Sequence, residues 1–409
     1  MNFLSELREG LSISWGAIRG NKLRSALTTL GIIIGVVTVT LMGTAIEGLN
    51  RAFLKSVSII GADVLYVQRF DWFIHSHEEW MKQQKRRIIT LPQVEAAAKQ
   101  LTLARSVSPM VTVEQRVQFQ KRRSDNVTII GSTEQYLETA SLTITDGRFL
   151  STSEVQGGRP VCVLGYLVAT NLFPRGSPVG NKIMIGPCAF EVIGVLDRLG
   201  DFLDGSSFDS QVIVPLPQIA ASFWSNPDYA FQVKAFDPEQ VEEAKEELRM
   251  VMRRVRHLGP TEEDDFAINQ QDQILQIFHR VAGTIGAIGL FITGLSLFVG
   301  GIGIMNIMFV SVAERTREIG IRKAIGAKRR TILVQFLIEA AAVCLLGGTI
   351  ALGIAWPLTL VMQRFMPATL SLPVVAIALT VSLLTGLVSG FLPAWRAARM
   401  NVVDALRNE

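Results

Sequence analysis

Four long apolar segments separate polar stretches of very different length along the chain. An α-helix needs about 20 apolar residues to cross the hydrocarbon core of a bilayer, and each segment is long enough. Glu339, in the third, is the one charged residue within the four. The pattern therefore predicts four transmembrane helices, at residues 26–46, 281–313, 332–356 and 372–393.

The second apolar segment is longer than one crossing requires. It contains 33 uncharged residues in a row, and we expect the surplus to project from the membrane as a stalk. The first span is predicted to continue as a helix too, since Leu49, Phe53 and Val57 keep helical spacing. Two rigid helices of this kind suit a mechanical device better than a pore.

A polar stretch of more than 200 residues, 47–280, lies between the first two spans and is long enough to fold around its own core. Helical spacing near its ends and alternation across about residues 119–210 predict an α+β domain with a β-rich middle. Residues 71–87 are polar, aromatic and irregular, and we interpret them as a loop. A hairpin is expected to turn near residues 124–126.

Charge placement predicts the orientation, because cytoplasmic loops carry an excess of Lys and Arg. The chain has a net charge of +4 and a mean hydropathy of +0.33. Residues 314–331 form the densest basic loop, and the hairpin between the last two spans carries only Arg364. Both termini, including the tail 394–409, are therefore predicted to be cytoplasmic, with the large domain outside.

The N-terminal residues 1–25 are predicted to form an amphipathic helix in the membrane interface. Phe3, Leu7 and Trp15 fall on one helical face, and polar residues fall mostly elsewhere. A soluble amphipathic helix would show the same pattern, but the adjacent transmembrane span favours the interfacial location.

Small residues allow close helix packing in two of the spans. Gly31 and Gly35 are four residues apart in the first, and Gly300, Gly301 and Gly303 cluster in the second. Such faces pack helices within one chain or between two copies of it.

Two cysteines of the outside domain, Cys162 and Cys188, lie in neighbouring strand-like runs. A disulfide between them and two free thiols are both compatible with the sequence. Because a disulfide needs a specific Cα spacing, we favour free thiols.

The sequence contains little that could perform catalysis. It has no G-x-S-x-G, no phosphate-binding G-x-x-x-x-G-K-[ST], and no cysteine or histidine spacing typical of a metal site. We therefore predict a non-catalytic membrane subunit with no bound metal or cofactor and no nucleic-acid partner. If ATP is used, a partner protein must bind it.

Several motifs closely resemble the MacB/FtsX-like permease family of ABC transporters. They are "NKLRSALTTLGIIIGV" before and within the first span, "ERTREIGIRKAIGAKRRTILVQFLIEA" after the second, and the final "LPAWRAARMNVVDALR". The run "TDGRFLSTSEV" and the strands after it are similar to the periplasmic core domain of that family. The resemblance covers nearly the whole chain.

The resemblance implies a permease subunit of an ATP-driven export system in the cell inner membrane. It implies a homodimer, two copies of a cytoplasmic ABC subunit that binds ATP and Mg²⁺, and often a periplasmic adaptor with an outer-membrane channel. Movement would pass from the ATPase to the outside domain, expelling substrates such as antibiotics, peptides, siderophores or glycolipids. Since the chain opens with the interfacial helix, we expect the ATPase to be a separate polypeptide.

The basic loop is then predicted to hold a short helix that the ATPase contacts. Gly326 is placed to end this helix in the left-handed conformation. The expected polar contacts are Glu314, Arg317, Glu318, Arg322 and Lys323, and the expected apolar ones are Ile319, Ile321 and Ile325.

Two alternative functions share this architecture. One is a lipoprotein-releasing permease, and the other is an FtsX-like signal transmitter that controls a cell-wall hydrolase without transport. The size and β-rich middle of the outside domain favour the exporter. A membrane-anchored enzyme is disfavoured because no catalytic grouping was found.

Overall fold

The computed structural model divides the chain into two compact units. The helical unit comprises Met1–Ala52 and His279–Glu409, and the sheet unit comprises Phe53–Phe278. Residues 1–21, from the predicted interfacial helix, lie outside the described residues. The structure describes residues 22–58, 60–74, 76–200, 207–364 and 368–407.

The described residues form thirteen α-helices and ten β-strands. The helices are α1 (Lys22–Val57), α2 (His77–Gln84), α3 (Leu91–Ala98), α4 (Tyr136–Thr139), α5 (Thr152–Gln156), α6 (Tyr166–Leu172), α7 (Leu216–Ser222), α8 (Val241–Val255), α9 (Gln271–Glu314), α10 (Thr316–Ala324), α11 (Arg329–Met362), α12 (Leu372–Arg399) and α13 (Val402–Arg407). The strands are β1 (Val64–Gln68), β2 (Ala104–Phe119), β3 (Arg122–Ser132), β4 (Ile144–Gly147), β5 (Val161–Leu164), β6 (Lys182–Ile185), β7 (Cys188–Leu196), β8 (Gln211–Pro215), β9 (Ala230–Ala235) and β10 (Ala267–Gln270).

Four helices, α1, α9, α11 and α12, are long and apolar enough to cross a membrane. This confirms the fold class, four membrane helices with an α+β domain. Helix α9 has 44 residues, so it is about 66 Å long at 1.5 Å per residue. It begins earlier than the apolar pattern indicates, because the polar residues from Gln271 onward also adopt the helical conformation.

Small residues bring the membrane helices together within the chain. A Cβ on Gly31 would lie 3.0 Å from the Cα of Gly300, and one on Gly35 would lie 2.8 Å from Leu297. Gly301 faces the Ser389 side chain of α12 in the same way. These predicted packing glycines therefore serve contacts between α9 and its neighbours in one chain, and Gly303 lies half-buried on the same helix.

Helices α11 and α12 form an especially close pair. A Cβ on Gly390 would lie 2.4 Å from the Cβ of Ala340, and one on Gly386 would lie 2.8 Å from the sulfur of Cys344. The buried Ser382 hydroxyl donates to the Cys344 carbonyl at 2.6 Å. Backbone approach at small residues replaces the hydrophobic driving force, which lipid does not supply between helices.

The sheet unit is built on one ten-stranded mixed sheet. Its strand order is β10-β1-β9-β2-β3-β8-β5-β7-β4, and β6 pairs with both β2 and β7. The pairs β3–β8 and β5–β7 are parallel, and the other pairs are antiparallel.

Alternation along the strands gives the β1–β9 part of the sheet two different faces. Leu65, Val67, Phe231 and Val233 pack with apolar residues of α3 and α8 in one core cluster. The intervening residues, such as Tyr66 opposite Gln232, point to the other face.

Two local interpretations of the sequence were wrong. The hairpin turns at Gln120, which has φ +53°, and Asn126 with φ +54° instead marks a bulge in β3. The segment 71–87, interpreted as a loop, contains helix α2. Its N-cap is Ser76, whose hydroxyl accepts from the Glu79 backbone N–H at 3.2 Å, a capping signal that the polar composition obscured.

The two outside cysteines are both free. Cys162 of β5 lies opposite Val192 of β7, whereas Cys188 lies four residues earlier on β7. Four residues of strand span about 13 Å, which is beyond the Cα separation that a disulfide allows. The free-thiol interpretation is therefore confirmed.

A buried carboxylate joins β4 to α5. Glu154 accepts two hydrogen bonds from the Arg148 guanidinium, at 2.6 and 2.8 Å, and two more from Ser151, at 2.7 and 3.0 Å. The Arg148 hydrogen bonds are the main reason that the pKa of Glu154 falls to about 2.

We predict that acid destabilises the sheet unit through Glu154. A carboxyl with a depressed folded-state pKa stabilises the fold above its unfolded pKa, and this contribution is lost as pH falls from about 4.5 to about 2. Glu154→Gln should lower the thermal midpoint at pH 7 and flatten its decline across this range, as followed by circular dichroism of the full chain. The exposed Glu243→Gln is the control. If Glu154→Gln declined with pH as steeply as the wild type, the assignment would be wrong.

We also predict that the α1–α9 crossing does not tolerate a methyl group. A Cβ on Gly300 would lie 3.1 Å from backbone atoms of Gly31 and Ile32, whereas one on Gly294, in the same helix, meets nothing within 4 Å. Gly300→Ala should destabilise the chain by about 1–3 kcal/mol. Gly294→Ala should be neutral or stabilising. Equal thermal midpoints for the two variants in lipid nanodiscs would contradict this packing.

Candidate functional site

The short helix α10 lies between α9 and α11 and includes most of the predicted coupling residues. Its C-terminus has two backbone bonds typical of a glycine-terminated helix: Gly326 N–H donates to Lys323 O, and Ala327 N–H donates to Arg322 O. Gly326 has φ +98°, as predicted, because a side chain would be strained in this conformation. The glycine stops α10 and lets α11 begin at Arg329.

Lys323 joins α10 to the end of α12. Its ammonium donates to the carbonyl of Ala398 at 2.8 Å and to that of Met400 at 2.6 Å. Carbonyls at a helix C-terminus lack intrahelical partners and carry partial negative charge, so a cation stabilises them. Desolvation, with a smaller contribution from the nearby charge of Arg329, lowers the pKa of Lys323.

Two arginines join the same region to α11. Arg322 donates to Gln335 at 3.0 Å and to Glu318 at 2.5 Å. Arg315, which the sequence analysis did not single out, lies 3.4 Å from both carboxylate oxygens of Glu339. Glu339, the one charge within the predicted spans, thus pairs with the residue just before α10.

The three predicted isoleucines separate into two environments. Ile319 is 2% exposed and packs in the core cluster that also contains Val312, Ile332 and Ala397. Ile321 and Ile325 are 49% and 81% exposed. The burial of Ile319 corrects its assignment as a partner contact, because one side of a packed helix must face the bundle.

The exposed side of α10 carries the remaining predicted contacts. Glu314, Arg317 and Glu318 are exposed and lie on the same helical side as Ile321 and Ile325, at spacings of three or four residues. We call these five residues the α10 surface. The exposed cations Lys328, Arg329 and Arg330 follow it in the chain.

This arrangement is suited to binding a protein and not to chemistry. Two exposed isoleucines bordered by charges provide an apolar contact with a polar rim. The hydrogen bonds of Lys323, Arg322 and Arg315 hold the helix against α11 and α12. Within the described part of the chain, no group of three His, Cys, Asp or Glu side chains could hold a metal ion.

The chain matches two protein families that together include this site. Residues 25–251 match the family of MacB-like periplasmic core domains. Residues 290–402, which contain α10, match the FtsX-like permease C-terminal family. The chain belongs to the MacB/FtsX-like permease family. It is therefore a membrane protein built from permease domains of a family of ABC exporters.

Relatives in this MacB-like family have names that refer to export. The chain is 32% identical over 96% of its length to "Macrolide export ATP-binding/permease protein MacB" of Rhodopirellula baltica, and covers 61% of that protein. It is 32% identical over 99% of its length to "Pyoverdine export ATP-binding/permease protein PvdT" of Pseudomonas entomophila, and covers 60% of it. The chain thus spans about 60% of the length of these relatives.

We predict that removing the Lys323 ammonium loosens α10 on the MacB-like bundle. Lys323→Met keeps the apolar stem but loses two charge-assisted hydrogen bonds, so cleavage after Glu314 and Glu318 by a glutamate-specific protease should accelerate roughly tenfold. The exposed Lys328→Met loses the same charge without these bonds and should leave the rate unchanged. Equal cleavage rates for both variants would show that Lys323 does not hold α10 in place.

Proposed function

We propose that the chain is the permease component of an ATP-driven exporter, in which an ABC ATP-binding component docks on the α10 surface. The observation that carries this proposal is the asymmetry of α10. Its buried side is tied to three helices by Ile319, Lys323 and Arg322, and its outer side presents Ile321 and Ile325. A partner that contacts the outer side moves the helices attached to the inner side.

The mechanical route follows from the continuity of the long helices. Helix α9 ends at Glu314, directly before α10, and runs without a break from Gln271. Its residues near Gln271 follow the last strand of the sheet unit, and Phe278 stacks on Phe53 of α1 with ring centroids 3.9 Å apart. Displacement at α10 would therefore reach the sheet unit through α9 without any change in helical hydrogen bonding.

The proposed assembly has two copies of this chain and two of the ATP-binding component, with α10 and both termini in the cytoplasm. The seven Lys and Arg of residues 314–330 support this orientation. The sheet unit would then lie outside the inner membrane, where an adaptor and an outer-membrane channel would receive the substrate. Small molecules such as macrolides and siderophores are the proposed substrates, from the names of the relatives.

Few polar groups in the membrane helices support movement over conduction. Polar or ionisable side chains would line a transport pathway through the bilayer. Glu339 is paired with Arg315, and the other buried polar groups of these helices are mostly hydroxyls, of which several donate to their own helix backbone. The substrate is thus proposed to be taken up outside the membrane core.

The test uses the two exposed isoleucines, since reversal of Arg322 or Lys323 would also break bonds inside the chain. In the Ile321→Glu/Ile325→Glu variant, the apolar contact is lost while Ile319 and the anchors remain. We expect binding of the ATP-binding component to fall by at least roughly tenfold, since truncated apolar anchors at interfaces cost about 2 kcal/mol or more. Stimulated ATP hydrolysis in nanodiscs should fall in parallel.

The matched control is Phe236→Glu, which places the same charge on a residue of the sheet unit that is 73% exposed. It should bind the ATP-binding component and stimulate hydrolysis like the wild type. Normal binding by the double isoleucine variant would exclude the α10 surface as the docking site. A wild-type chain that neither binds an ABC ATP-binding component nor stimulates it would overturn the exporter proposal itself.

A further inference from the structure

The second face of the sheet, opposite α3 and α8, carries an unusual mixture of side chains. Tyr66 of β1 lies opposite Gln232 of β9, and Met110 of β2 pairs with Ala230, two residues before Gln232. Alternation places Tyr66, Gln232 and Met110 on this one face, together with Thr128 and Ile130 of β3. A face meant only for packing would be apolar throughout.

These side chains form the floor of a cavity of about 390 Å³ that opens to the protein surface. Tyr136 and Ala140 from the α4 region, with Leu142, Leu199 and Phe208, complete its lining. Drug-sized ligands occupy pockets of about 300–1,000 Å³, so the cavity holds far more than one or two water molecules.

The cavity wall at Trp72 is fixed by a buried asparagine. Asn269 is fully buried, accepts from the Trp72 backbone N–H at 3.0 Å and donates to the Phe70 carbonyl at 3.0 Å. Trp72 thereby lies beside Tyr66, with ring centroids 5.1 Å apart, and the Tyr66 hydroxyl donates to the Ile60 carbonyl at 2.8 Å. The aromatic side of the cavity is therefore preformed.

The lining is uncharged. Among the fifteen described residues that surround the cavity, none is Asp, Glu, Lys, Arg or His. Burial raises the pKa of the Tyr136 phenol to about 12, so this hydroxyl also stays neutral. A charged ligand would lose its hydration without gaining an ionic partner.

One buried amide in the floor has an unused hydrogen-bonding group. Gln232 is 3% exposed; its amide hydrogen-bonds to the Tyr136 phenol and lies 3.6 Å from the Met110 sulfur. Its other polar atom, the carbonyl oxygen, has no hydrogen-bond partner among the described residues. A buried polar atom without a partner costs free energy, which a ligand can recover by binding to it.

We propose that this cavity is a binding site for an uncharged small molecule with an aromatic or aliphatic body and an amide or hydroxyl group. The body lies against Trp72, Tyr66 and Ile130, and the polar group donates to the Gln232 carbonyl oxygen. The site lies wholly within the sheet unit and needs neither ATP nor the α10 surface, so it stands or falls independently of the exporter proposal.

The test compares two probes that differ by one charge, N-acetyl-tryptophanamide and N-acetyl-tryptophan. Each is titrated against the full chain in nanodiscs by saturation-transfer difference NMR, with empty nanodiscs as the blank. The uncharged amide should bind saturably, and the carboxylate should bind roughly tenfold or more weakly because it would bury an unpaired charge.

Two variants test the location. Gln232→Leu keeps a similar volume but removes the acceptor and should weaken amide binding by roughly three- to tenfold. Ala140→Phe fills the cavity and should abolish binding. Gln240→Leu, the same change at an exposed position outside the cavity, should bind like the wild type. Thermal midpoints confirm that each variant is folded.

Three results would overturn the proposal: no saturable binding of the amide above the blank, equal binding of the two probes, or undiminished binding by folded Ala140→Phe. The first would mean that the cavity holds water only. Loss of ATPase docking in the double isoleucine variant with normal probe binding would leave this site intact.

Discussion

The contact between Lys323 and the end of α12 is the constraint on which the functional account depends. It satisfies two carbonyls that the terminus of α12 leaves without helical partners, and it holds α10 against the bundle. Without this tie, a partner that binds the exposed isoleucines would move only a loop. With it, and with Ile319 buried beneath, the same contact acts on the long helices α9, α11 and α12.

The helical unit and the sheet unit achieve order by different physical means. Helices in lipid gain nothing from hiding apolar surface, so Gly31, Gly300 and Gly390 allow backbones to approach. The sheet unit lies in water and gains from burial, and strand alternation gives it one apolar face and one mixed face. The mixed face carries Gln232 and the cavity.

Much of this fold is predictable from the sequence, because membrane spans and strand alternation are signals of many residues. The left-handed Gly326 is predictable as well, since few other residues end a helix in that way. Ile319 and Lys323 were harder, because a sequence does not show which side of a short helix faces the bundle. The cavity around Gln232 depends on strands distant in sequence, and only the sheet register brings them together.

The central claim is that ATP binding at the α10 surface moves the sheet unit. It is tested most directly by double electron–electron resonance on the assembled exporter in nanodiscs. A nitroxide at the exposed Glu243→Cys, in a Cys188→Ser background, reports the distance between the sheet units of two copies. The account predicts that this distance shifts when ATP binds and returns after hydrolysis. An unchanged distance distribution during continued ATP hydrolysis would contradict it.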